Sequence, residues 1–253
     1  MEYKGDVGKY LSGSQILIPK CGIYVTQPKI KDIIQFGETE FSVAVQFLDE
    51  IDSFAAEIKS GNNQLKDIDN FQLVLEAMRV NEFKEIKNDL DILFKLICPD
   101  FVVKYSKDSI DFLITEDDNQ KIKGRVTAFN YKDLATVLNE LFSPRADKKN
   151  EFNPANEAAK KIAEKLEAAR IKNKKKSKES SSLFGTMCSI LSIGLSMDIN
   201  LFMNYTPFQL YDCFERYLAK MQYDLYQKIM LTPFMERKED DDVPEMWTKD
   251  LYT

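Results

Sequence analysis

Between residues 146 and 182 the sequence stops supplying the material of a core, and that interruption limits what the whole chain can fold into. Asn153–Pro154 offers a helix cap followed by proline in the first turn, and an Ala/Lys/Glu-rich stretch runs on to Lys176. Its apolar stripe is thin (Ala155, Ala158, Ile162, Leu166 and Ala169), and from Glu157 to Lys178 nine bases stand against three acids. Lys174–Lys176 with Ser177 and Ser180–Ser182 then reads as a flexible break. Such a composition suits a solvated spacer rather than a folded layer. We therefore expect an α+β module over residues 1–145, a basic helical linker over 146–182, a small all-α module over 183–235 and an acidic tail over 236–253. The tail carries four consecutive acids, Glu239–Asp242, and runs of that kind remain solvated.

Within the first module, Ile16, Ile18, Ile23 and Val25 alternate along two short runs, Gln15–Pro19 and Gly22–Gln27, which predicts strands. Pro28 opens a helical stretch with Ile30, Ile33 and Ile34 on one face, and Gly37 stops it. Phe41, Val45, Leu48 and Ile51 continue at helical spacing, and two more helices are predicted over Asp69–Arg79 and Asn81–Ile97. The period then changes. Phe101–Tyr105, Ile110–Thr115 and Lys121–Ala128 read as a meander, with a polar turn at Asp117–Gln120. Asn130 is expected to cap a closing helix that carries Leu134, Val137, Leu138 and Leu141. The whole predicts a small antiparallel sheet of three to five strands covered by helices.

The second module begins with an uncharged run, Leu183–Met197, interrupted by Ser, Thr and Gly. It falls short of the roughly 20 apolar residues a membrane span needs, so it reads as a buried helix. Asp198–Tyr205 reads as a bulky connection, after which Thr206-Pro207-Phe208-Gln209 has the signature of a capping box. The helix that follows places Tyr211, Phe214, Leu218, Met221 and Leu225 at alternating three- and four-residue steps, a seam suited to packing on another helix. Phe208, Tyr217 and Tyr226 lie beside that seam and are the expected exposed anchors for a partner.

What the sequence lacks narrows the function. It has no histidine, so the commonest general base and the usual imidazole ligands are missing. No GxxxxGK[ST] loop and no GxGxxG occurs, and Cys21, Cys98, Cys188 and Cys213 form no CxxC pair. The expectation is a non-enzyme without cofactor or metal, working in a reducing compartment. A net charge of −6 argues against nucleic acid as a partner, although the base excess over Glu157–Lys178 keeps a nucleic-acid-binding regulator as a third reading. No aromatic residue is interleaved there to stack on bases.

Two stretches resemble a known family. Gln27-Pro28-Lys29-Ile30-Lys31-Asp32-Ile33-Ile34-Gln35-Phe36-Gly37-Glu38 is similar to an early motif of proteins encoded in tail gene clusters of phages infecting Gram-positive bacteria. Ile199-Asn200-Leu201-Phe202, followed by Thr206 to Phe214, resembles a later motif of the same proteins. Together they cover under a fifth of the chain, in the family's order. The resemblance is to the tail assembly chaperones. It implies binding to the long tape-measure protein in the cytoplasm of the host bacterium, help to tail-tube subunits as they polymerise, and no catalytic residues. The Lys-rich linker and acidic end depart from the family pattern. The alternative is a structural or adaptor protein of the tail, built of the same parts. Under either reading, the tail-tube protein and a second copy of the chain are the further expected contacts.

Overall fold

The alternating isoleucines near the start form a hairpin. In the computed structural model, which describes residues 7–60, 65–79, 84–116, 119–142 and 182–231, β1 (Ile16–Ile18) pairs antiparallel with β2 (Ile23–Val25), Ile16 opposite Val25 and Ile18 opposite Ile23. All four of these side chains are buried, while Leu17 and Tyr24 face outward, as a period of two requires. A six-residue helix, α1 (Val7–Ser12), precedes the hairpin and buries Tyr10. It was not expected.

Four helices follow: α2 (Ile30–Phe36), α3 (Glu38–Asp49), α4 (Ile51–Ser60) and α5 (Asn70–Ala77). Gly37 ends α2, its N–H donating to the Ile33 carbonyl at 2.9 Å. Ile30 and Ile33 are buried as expected, but Ile34 turns outward, because seven residues of helix bury only one narrow face. Asp69 caps α5 by accepting from the N–H groups of Phe71 and Gln72. The longer α6 (Lys84–Ile97) buries Leu90, Leu93, Phe94 and Ile97 against α3.

The meander is a separate three-stranded antiparallel sheet, β3 (Val102–Tyr105), β4 (Ser109–Glu116) and β5 (Asn119–Thr127), with β4 in the middle. Asn119 and Gln120, expected in the turn, already belong to β5. The five strands thus form two small sheets, where a single sheet was expected. They touch where β5 crosses the hairpin turn: Arg125 donates its N–H to the Cys21 carbonyl at 2.9 Å. Register slips between Phe112 and Leu113, which pair with Gly124 and Ile122, leaving Lys123 as the extra residue of a bulge. Asp111, buried on β4, is held by Arg125 at 2.6 Å and by the Ser109 hydroxyl at 3.0 Å, the pairing a buried carboxylate requires.

Helix α7 (Tyr131–Phe142) closes this part of the chain and buries Leu134, Val137, Leu138 and Leu141. Asn130 does different work from the cap assigned to it. Its amide oxygen accepts from the Thr127 N–H at 2.6 Å, and its amide nitrogen donates to the carbonyls of Lys20 and Arg125, both at 2.9 Å. One side chain therefore ties hairpin turn, β5 and α7 together.

Three further helices, α8 (Leu183–Leu195), α9 (Ile199–Met203) and α10 (Pro207–Leu231), complete the described residues. The architecture is mixed α+β, two small antiparallel sheets among ten helices in those residues. None of the helices is long and apolar enough to cross a membrane. The segments on either side of the composition break lie against each other: Ile30 donates to the Tyr205 carbonyl at 2.9 Å, and buried side chains from both belong to one cluster. The basic segment 146–181, Ser143–Pro144 and the acidic tail 236–253 lie outside the described residues.

Asp52 shows how polar contacts bind α4, α5 and α7. Its carboxylate accepts from Asn70 at 2.8 Å, from the Lys132 ammonium at 2.7 Å and from the Tyr131 hydroxyl at 2.9 Å. These bonds, Asn70 and then Lys132 foremost, hold it at about 2 instead of 3.8. A depressed carboxylate stabilises the fold above its ordinary range, and that contribution is lost as pH falls through the depressed value. We expect Asp52→Asn to cost under about 1 kcal/mol at pH 7, since the group is half-exposed and screened. The penalty should begin to shrink as urea midpoints are followed below about pH 4 and approach zero at and below about pH 2; a pH-independent penalty would contradict the assignment.

Candidate functional site

The candidate surface is built on α10, and its start is fixed by sequence chemistry. The Thr206 hydroxyl accepts from the Gln209 N–H at 3.4 Å and the Gln209 side chain accepts from the Thr206 N–H at 2.9 Å, which is the expected capping box. The amide nitrogen of Gln209 also donates to the Leu11 carbonyl at 2.6 Å, so the cap is stapled to α1. The ring of Phe208 meets Tyr10 edge-on at 5.2 Å and is only 3% exposed. Phe208 is therefore core, and the expectation of an exposed anchor there is corrected. The cap that starts the helix aims this side chain inward at α1.

The eight residues proposed from the sequence divide along the helix. Tyr211 meets Phe184 of α8 edge-on at 6.0 Å, and burial first, then the nearby Glu38, raises its phenol above the ordinary range. Phe214 and Tyr217 are half-buried against the core. Tyr217 lies on Gly194, where an added Cβ would fall 2.0 Å from the phenolic oxygen. Leu218 and Tyr226 are half-buried too, so Tyr217 and Tyr226, expected as exposed anchors, are each only partly accessible. Met221 and Leu225 are the exposed members, at 51% and 59%.

The division follows from helix length. α8 and α10 run side by side, Phe184 near Tyr211 and Gly194 near Tyr217, so α8 is used up by the middle of α10. The twenty-five residues of α10 span about 37 Å, and packing against the core reaches Tyr217 among the described residues. Leu218, Met221 and Leu225 continue the apolar seam past that point.

Beside the seam lies a groove of about 510 Å3 between α1, α8 and α10, walled by Leu11, Leu195, Cys213 and Tyr217. Arg216, paired with Asp212 at 3.1 Å, and Lys220, paired with Asp224 at 3.6 Å, line its polar side. Ile193, 81% exposed, and the exposed Met197 stand at the same end of α8. Sequence reasoning missed Ile193, Leu195 and Met197 because α8 was read as a buried helix, and Leu11 because α1 was not expected. It buries only Phe184, Met187, Cys188 and Leu191. The signal was present: Ile190, Ile193 and Met197 fall three and four residues apart, on the side away from Cys188 and Leu191.

The chemistry on offer is that of contact. Burial pushes the thiols of Cys21 and Cys98 up to about 12 and that of Cys188 to about 11, which makes them small apolar residues rather than nucleophiles. Burial raises Cys213 as well, with Asp212 adding to the shift. Among the described residues, no group of three or more Cys, Asp or Glu side chains is placed to hold a metal ion.

No protein-family model, curated protein or solved structure matches the chain.

Proposed function

We propose that this chain is a phage tail assembly chaperone that binds the tape-measure protein in the host cytoplasm and assists tail-tube assembly. The observation that carries the reading is the seam of α10 continuing beyond its intramolecular partner, with Met221 and Leu225 half or more exposed on a helix whose first half is locked into the core. A long helical partner made before its tube exists has apolar faces with nothing to cover them, and a helix laid along this seam would cover one such face. Thioether side chains suit that task, since Met adapts to irregular surfaces. The resemblance of Gln27–Glu38 and Ile199–Phe214 to tail assembly chaperones supports the tape-measure protein as that partner. The reading needs no catalytic residue, cofactor or metal.

Co-expression with the tape-measure protein tests it. Wild type should recover the partner in soluble form. Met221→Ala and Leu225→Ala should each weaken binding by about 1–3 kcal/mol, as hot spots do, roughly fivefold to 150-fold, while leaving circular dichroism unchanged. Tyr226→Ala should weaken binding less, and Phe208→Ala should act through stability. Unchanged recovery with folded Met221 and Leu225 variants would remove this surface. A wild type that binds no tail protein would remove the chaperone reading itself.

A further inference from the structure

A second groove, of about 390 Å3, lies between α3, α7 and α8, with Tyr211 of α10 in its wall. Its floor is apolar, formed by Phe41, Val45, Phe142 and Phe184. Asp49 and Glu50 stand on its rim and Glu38 at one end, and no basic side chain lines it among the described residues. Glu38 is already engaged, accepting from the Ser182 hydroxyl and from the Phe184 N–H at 3.0 Å. Asp49 and Glu50 are exposed, Glu50 accepting from the side-chain amide of Gln46 at 3.0 Å on the surface.

Two features of the chain converge on this groove. The described chain breaks off just after Phe142 and resumes at Ser182–Leu183, and Phe142 and Leu183 both line the groove. The described residues that flank the intervening sequence therefore both lie at the groove. That sequence is also the groove's chemical complement: nine bases against three acids over Glu157–Lys178, with Ile162 and Leu166 four residues apart among alanines. We propose that the groove is the docking site of the chain's own basic segment, residues 154–178, whose Ile162 and Leu166 enter the apolar floor while its lysines face Asp49 and Glu50. Attachment at both ends supports this occupant over a free partner of similar chemistry. A tethered segment acts at an effective concentration of about millimolar, and opposite charges at a rim favour the matching register. The proposal stands independently of the chaperone reading.

The test uses the full chain and one variant in which residues 154–178 are replaced by a Gly/Ser sequence of equal length. The probe is a fluorescent synthetic peptide of residues 154–178, followed by anisotropy. The replaced chain should bind the peptide at least tenfold more tightly than wild type, whose groove is filled. Asp49→Lys with Glu50→Lys in the replaced chain should reverse that gain, and raised salt should weaken the binding. Equal affinity for both chains would show a groove open to partners in trans and overturn the proposal. So would the absence of binding to the replaced chain, or binding indifferent to the two charge reversals. Should the replaced chain fail to fold, the same two reversals in the otherwise unaltered protein provide the test. Tryptic cleavage at Lys160, Lys161 and Lys165 should then quicken about tenfold, ten being the factor that 1.4 kcal/mol of lost docking produces. An unchanged rate would overturn the proposal.

Discussion

Phe202→Ala is expected to destabilise the protein by about 3–5 kcal/mol, the range for emptying a buried phenylalanine site. Phe202 is 0% exposed and sits in α9, its ring edge-on to Tyr205 at 5.6 Å. α9 rests on α2 and α8, and the Tyr205 carbonyl receives the first N–H of α2 at 2.9 Å. The cavity would therefore open where the C-terminal helices meet the N-terminal part of the chain. Thermal or urea unfolding followed by circular dichroism should show one transition moved as a whole. Loss of a small separate transition, with the main one unmoved, would mean instead that residues 183–231 melt on their own, as the composition break suggested.

The second large effect is expected from Gly124→Ala, a change of one methyl group on an edge strand. A Cβ at Gly124 would lie 2.2 Å from Cγ2 of Ile23 and 2.8 Å from the Cys21 carbonyl oxygen. Ile23 is fully buried, and the Cys21 carbonyl is backbone already bonded to the Arg125 N–H, so neither neighbour has room to withdraw. The two sheets would have to part, at a cost of about 3 kcal/mol, the upper end for overpacking. Lys123→Ala, at the exposed bulge next door, should be near neutral and serves as the control in urea denaturation. Equal midpoints for the two variants would mean that β5 and the hairpin do not pack as closely as described.

Much of the fold was legible because burial follows local periodicity. The alternation Ile16, Ile18, Ile23, Val25 located two strands, and the spacing in Tyr131–Phe142 located a helix with its buried face. The capping box at Thr206–Gln209 was readable residue by residue. What escaped was either short or long-range. α1 and α9, six and five residues long, are too brief to show a stripe, and tertiary contacts stabilise them. Asn130 has the side chain of a cap, but its partners include Lys20, 110 residues away, which no local pattern announces. The same holds for Phe208, whose burial depends on Tyr10 and on a Gln209–Leu11 bond spanning 198 residues. The candidate seam was found by its spacing, but its partition into packed and exposed halves depends on where α8 ends.

That ending gives α10 a mechanical character. The helix is clamped at its root by Thr206, Gln209 and Phe208, rests on Gly194 through Tyr217, and then overhangs. From Tyr217 to Leu225 the overhang is about 12 Å, so a load applied at Leu225 turns about Tyr217 as its fulcrum. Gly194 lies directly beneath that fulcrum, the three atoms nearest an added Cβ all belonging to the Tyr217 phenol. A side chain there would push the end of the Tyr217 ring off its seat and remove the support beneath the overhang that carries Met221 and Leu225. The support beneath the apolar seam thus depends at Tyr217 on a residue that has no side chain.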